Sequence, residues 1–259
     1  MSRSLLDEHR RVWEGKPALR AIYGLWFDLL LAEAPPGGRA LEIGSGPGFL
    51  GAHARRTRPD LRLFETDILA TPWQDAAADS LRLPLRRESM DTMLGVDVVH
   101  HLARPARLFS EAARVLVPGG RLAFVEPWVT PLSYPIYRWL HQEGCRLDLD
   151  PWNPFGLSGD AGKDAFQGDA AVVWRLVRTT LPSLWRDLGF EPPRVTVLNG
   201  LAYLLSLGFK RGSLLPPPMT SAMLRLDAML VPWAAGLGLR VLVVWDRAGH
   251  AGDTGIGSR

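Results

Sequence analysis

The chain has 259 residues, 47% hydrophobic and 22% charged with a formal charge of +3, a balance that excludes a low-complexity or collagen-like polypeptide and fits one ample α/β core. Its single cysteine, Cys145, excludes an internal disulfide and a multi-cysteine zinc site, and is compatible with a reducing cytoplasm, the compartment expected here. Arginine supplies nearly all the positive charge, in pairs such as Arg10-Arg11 and Arg86-Arg87 interspersed with acids; no basic stripe interleaves with aromatics, so no nucleic-acid partner is expected.

Residues 1–34 open on MSRSLLDE (1–8), which lacks the apolar core of a signal peptide. They carry a helical period in Trp13, Leu19, Ile22, Tyr23, Trp26, Phe27, Leu30 and Leu31, and Lys16-Pro17 predicts a break between two helices. A turn, PPGG (35–38), leads into the stretch around which the chain is organised, ALEIGSGPGFL (40–50). An apolar strand there runs into glycines that let the backbone take positive φ and let a ligand lie against the main chain; a helix over 49–58 then presents free N–H groups. Gly46, Gly48 and Gly51 fit the dinucleotide pattern G-x-G-x-x-G, with Asp67 following at the next strand end. Glu42, Gly44, Gly46 and Gly48 fit a rival pattern, E-x-G-x-G-x-G.

The segments that follow decide between the two. LRLFETD (61–67) reads as a second strand ending in acid, and Pro72 opposes a crossover helix between Asp67 and Asp79, so an irregular link and a short edge strand near 76–78 are expected. Next come DSLRLPL (79–85), MDTMLGVDVVHHL (90–102) and EAARVLVPGGRLAFVEP (111–127). With the glycine stretch, these resemble, in order, four motifs of the class I S-adenosylmethionine (SAM)-dependent methyltransferases. The resemblance covers roughly residues 38–127. It implies a Rossmann-like doubly wound sheet, mostly parallel with an antiparallel last strand, and SAM as cofactor. It further implies that Glu42, Gly44, Ser45, Gly46 and Gly48 shape the methionine end, that Asp67 holds the ribose, that Asp79 meets the adenine amine, and that Asp97 and His100 close the methionine side.

After Pro127 the sequence turns aromatic and proline-rich (128–155), then Gly- and Asp-rich (156–168). Inserted after the fifth strand, a loop of this length would cover the carboxyl edge of the sheet, so 128–178 reads as a substrate lid. The core resumes with a helix ending at Gly189, a strand over 194–198, two helical stretches split by Pro216-Pro217-Pro218, and a closing strand over 240–245. Domain organisation is thus one domain over 1–248: N-terminal helices (1–37), SAM-binding core (38–127), lid (128–178) and the second half of the sheet with a helical insertion (179–248). The Gly-rich end, 249–259, reads as a disordered tail.

A base is needed only if the acceptor must lose a proton. His100, Glu126, Tyr137 and His141 are the candidate catalytic residues, with His101 and Glu143 beside them; Tyr137 and His141 are spaced for one helix face. No ligand spacing joins Asp97, Glu126, Asp148 and Asp150, so no metal is expected. The fourth strand is followed by Val98, Val99 and two histidines, not by the Asn/Asp-Pro-Pro-aromatic run that marks amino methyltransferases. The resemblance therefore implies methyl transfer to a small-molecule or lipid-like acceptor, favouring O or C over N. Two other readings stand behind it: a SAM-binding partner subunit without turnover, whose apolar stretch 201–245 could meet a protein or a membrane, and a nicotinamide-cofactor oxidoreductase.

Overall fold

The computed structural model describes residues 3–140, 143–157 and 168–249; the expected tail and His141 lie outside the described residues except for Gly249. Seven strands form one sheet: β1 (Arg39–Ile43), β2 (Arg62–Asp67), β3 (Ala76–Ala77), β4 (Met90–Val96), β5 (Leu116–Pro127), β6 (Arg194–Leu198) and β7 (Arg240–Asp246). Their spatial order is β3-β2-β1-β4-β5-β7-β6. Pairing is parallel from β3 to β5, and β7 runs antiparallel to both its neighbours, as expected of the closing strand. The order reverses between β1 and β4, and at such a switch point the carboxyl ends of the strands leave a crevice for a ligand.

The expected break at Lys16-Pro17 separates α1 (Arg3–Gly15) from α2 (Pro17–Leu31). Proline is favourable at the first position of a helix, where its missing N–H costs nothing. Lys16 itself is buried, and its ammonium donates to the carbonyls of Ser206 (2.8 Å), Gly208 (2.8 Å) and Lys210 (2.6 Å) at the end of α8 (Leu201–Ser206). The helix following the glycine loop is α3 (Phe49–Thr57). The link between β2 and β3 contains no helix, and β3 is the two-residue edge strand that Pro72 and the short spacing predict.

Two apolar layers sandwich the sheet. On one side α4 (Pro105–Val115), α6 (Val172–Thr179) and α7 (Pro182–Asp187) pack around Phe109, Trp185, Phe190 and Trp245. Phe109 meets Trp185 and Trp245 edge-on at centroid distances of 4.8 and 5.0 Å, a geometry aromatic quadrupoles favour. On the other side α2 lays Leu19, Ile22, Phe27, Leu30 and Leu31 against the sheet.

The insertion after β5 holds a short helix, α5 (Ser133–Pro135), a wide turn (Ile136–Leu140), and then α6. The two helical stretches expected after β6 are α8 and α9 (Thr220–Met229), the second continued by α10 (Ala234–Leu237). Met219, Met229, Val231 and Trp233 leave this insertion exposed. Among the described residues no helix is long and apolar enough to cross a membrane.

Candidate cofactor and acceptor site

Between β1 and α3 the chain makes a turn in which Gly44, Gly46 and Gly48 have φ of 64°, 48° and 76°, a region L side chains enter at a cost. Ser45 N donates to the Thr66 carbonyl (2.9 Å), and Gly46 N donates to Asp67 Oδ2 (2.8 Å) at the end of β2. Leu69 N occupies Asp67 Oδ1 at 2.9 Å, so the carboxylate is oriented from both sides while staying partly exposed. Glu42 below the loop and Ser45 within it are both buried, and among the described residues Glu42 Oε2 and Ser45 Oγ make no hydrogen bond. Burial pushes the Glu42 carboxyl well above the usual carboxylate range, and the nearby Glu65 and Asp67 push it further in the same direction.

Two residues that sequence reasoning passed over cover this loop. Trp73 donates its indole N–H to the Gly46 carbonyl (2.7 Å), and its ring lies where a Cβ on Gly48 would meet it at 2.7 Å. Arg10 on α1 donates to the Pro47 carbonyl (2.7 Å) and sits 4.4 Å over the Trp73 ring. A lone tryptophan in a shortened link was the available signal. Asp79 lies two residues past β3, exposed, with its Oδ1 accepting from Leu81 N at 2.9 Å. It stands on the same carboxyl edge as Asp67, whose carbonyl accepts from Ala78 N.

On the other side of the switch point the site is made of charges. Asp97, just past β4, adopts φ 54° and pairs with Arg240 Nη2, while the Tyr23 hydroxyl stands 3.4 Å from its other oxygen. Arg240 is 3% exposed at the head of the apolar run VLVVW, with its guanidinium 4.7 Å from the Trp26 ring and 5.5 Å from that of Tyr203. Burial works against its charge, but Asp97 together with Tyr137, Tyr203 and Tyr23 outweighs it and holds the guanidinium ionised. Tyr137 faces the same group; it is buried and its hydroxyl donates to the Leu239 carbonyl. Burial raises the pKa values of Tyr23, Tyr137 and Tyr203, keeping all three phenols neutral.

His100 and His101 form a single turn (Val99–His101) after β4. Glu126, wholly buried on β5, accepts Val98 N (2.9 Å) and Val99 N (2.7 Å) on one oxygen and the His100 Nδ1 on the other. Glu143 reaches the other face of the turn, 3.3 Å from His100 Nε2 and 3.5 Å from His101 Nε2. Burial disfavours a charged His100, but the two carboxylates outweigh it and push the imidazole up to about 10. Glu126 moves the opposite way: burial alone would raise it, and His100 with the two amides brings it below the usual range. The structure thus brings Glu126, His100, His101 and Glu143 together and places Tyr137 with Arg240.

A chain with three left-handed glycines at the end of β1, an oriented acid at the end of β2 and the strand order above has the fold and loop of a known family. The family description "methyltransferase domain" matches residues 41–124. The chain carries a class I SAM-dependent methyltransferase domain. It is 31% identical over 189 residues to an uncharacterized methyltransferase of Mycobacterium sp. (strain JLS), covering 68% of this chain and 64% of that protein. It is 35% identical over 134 residues to an uncharacterized 37.1 kDa protein of a Streptomyces fradiae transposon, covering 46% of this chain and 38% of that one. The chain therefore spans less than two thirds of the length of these relatives. Among solved structures, a SAM-dependent methyltransferase from Archaeoglobus fulgidus superimposes with a TM-score of 0.56 over 88% of this chain and 94% of that one at 12% identity, a likeness of fold.

Proposed function

We propose that this methyltransferase domain transfers the methyl group of SAM to a small-molecule or lipid-like acceptor, on oxygen or carbon in preference to nitrogen. The observation that carries the reading is the loop of three left-handed glycines facing the Asp67 carboxylate. Its main chain can approach a ligand closely, and Ser45 Oγ and Glu42 Oε2, without a hydrogen bond among the described residues, lie beside it, which fits the polar ends of such a cofactor. When bound, SAM supplies a methyl already activated on its sulfonium, so the protein's task is to hold, orient and exclude water.

Asp67 would accept the ribose hydroxyls, and Asp79, one strand further out, would meet the adenine amine. Gly44, Gly46, Gly48 and Asp97 frame the amino-acid end. Asp97 brings Arg240 and the neutral rings of Trp26, Tyr23, Tyr137 and Tyr203 to the edge where the acceptor would lie. The segment 128–178 would serve as the lid. His100 has a carboxylate on each ring nitrogen, and Glu126 fixes the turn through two backbone amides; their part is positioning. A hydroxyl acceptor would hand its proton to His141 of the lid, whereas an already nucleophilic carbon needs no base.

Isothermal titration with SAM tests the cofactor half: saturable 1:1 binding is expected, and its absence in a folded chain would overturn the reading. The acceptor half is tested with labelled SAM and a metabolite extract, followed by mass spectrometry of the labelled product. Label on a nucleic acid or a protein amine would reject the acceptor class.

A further inference from the structure

Glu143 is separated from the two histidines by the whole of β5, yet its carboxylate closes on both imidazoles at once. One ligand atom from each of His100, His101 and Glu143 lies within 4.8 Å of the other two. The edges from the carboxylate are 3.3 Å, from Oε2 to His100 Nε2, and 3.5 Å, from Oε1 to His101 Nε2. Ligands at roughly 2.0–2.1 Å from a tetrahedral zinc stand about 3.3 Å apart, so these edges already have the spacing of a coordination shell. We propose that His100, His101 and Glu143 bind one divalent transition-metal ion.

The surroundings are those of a metal-binding histidine. A ligating imidazole donates its second N–H to a carboxylate, which fixes its tautomer and aims its lone pair. Here Glu126 takes His100 Nδ1 on Oε2 and is itself fixed by Val98 N and Val99 N on Oε1. The rings of His100 and His101 lie 4.2 Å apart at 37°, directing both Nε2 atoms toward the same carboxylate. Gly168 passes directly over the contact: a Cβ there would come within 2.6 Å of His100 Cδ2 and 2.8 Å of Glu143 Cδ. One side of the cluster is therefore closed by main chain, while the side chains of His101 and Glu143 are 18% and 21% exposed.

Two imidazoles and one carboxylate select zinc, iron(II) or cobalt(II) over magnesium or calcium, which prefer all-oxygen shells. Three protein ligands leave a fourth position for water or for an oxygen of a small molecule. A second grouping, Asp97 with His100 and Glu126, is committed elsewhere, because Arg240 holds Asp97 and the turn amides hold Glu126. The site stands independently of the methyl-transfer reading.

Tag-free protein stripped with chelator and titrated with zinc(II) alone, then with cobalt(II), tests the proposal without cofactor or activity. One ion per chain is expected, and cobalt should give the intense visible bands of a four-coordinate site. His101→Ala and Glu143→Gln should each weaken zinc at least tenfold, and Glu126→Gln should do so by roughly 10–100-fold. Circular dichroism checks the fold; if the buried Glu126 variant does not fold, the two partly exposed variants decide. Binding that is absent, or that survives both His101→Ala and Glu143→Gln, would overturn the proposal and leave a protonated His100 held between two carboxylates.

Discussion

Over β1 and β2 the carboxyl edge of the sheet is built of main chain: three glycines at positive φ, loop amides held by one carboxylate, and an indole over the top. Across the switch point, over β4, β5 and β7, it is built of side chains. Asp97 and His100 share the turn after β4, while Glu126, Glu143 and Arg240 come from three other places in the chain, and three of the five are fully or nearly fully buried. The difference is one of what each half can afford to lose. A backbone cradle keeps its shape when a neighbouring side chain changes, whereas a charge cluster fails when one partner is removed and the other is left desolvated.

That contrast can be broken most directly at Arg240. Arg240→Met would leave Asp97 without its counter-ion, and since that carboxylate is 27% exposed the expected cost is about 3 kcal/mol, the lower end for breaking a buried pair. Urea unfolding measures it; a loss under about 1 kcal/mol would mean that the charged half is as tolerant as the glycine half. Asp67→Asn probes the opposite side. It should raise the SAM dissociation constant about tenfold, ~1.4 kcal/mol, by titration calorimetry, while stability moves less. A large stability loss with unchanged affinity would reverse the assignment. Trp73→Ala removes one hydrogen bond and the Arg10 contact, and should cost about 1 kcal/mol in the same unfolding assay.

The smallest effect concerns pH. Glu42 has its folded pKa raised, chiefly by burial, so its ionisation opposes folding above the unfolded pKa and costs nothing below it. Glu42→Gln should therefore stabilise the ligand-free protein at pH 8, with the gain fading as the pH falls toward 4. A gain independent of pH would show that packing, not charge, sets the difference.

The two halves were also unequally legible in the sequence. The glycine loop could be read because a positive φ restricts residue type, so Gly44, Gly46 and Gly48 carry their geometry in their identity. Pro72 and the short spacing to Asp79 likewise foretold the missing helix and the two-residue β3. The charged half gave no such sign. Nothing local in the sequence joins Glu143 to His100 or Asp97 to Arg240, because those contacts depend on β5 and β7 being laid side by side. Arg240 at the head of the apolar run VLVVW was the one hint, since a charge entering a buried strand needs a partner. The insertion after β5 was legible from its composition, but not as the short helix and wide turn that precede Glu143.

Lys16 binds carbonyls 190 to 194 residues further along the chain. A link of such sequence separation closes an enormous loop, so it can form only after the intervening strands have assembled. It should act as a late fastening whose interactions are absent at the folding barrier. Lys16→Met is then expected to speed unfolding in a chevron plot while leaving the refolding limb almost unchanged. The persistence of the folded chain, more than its formation, would hang on that one ammonium.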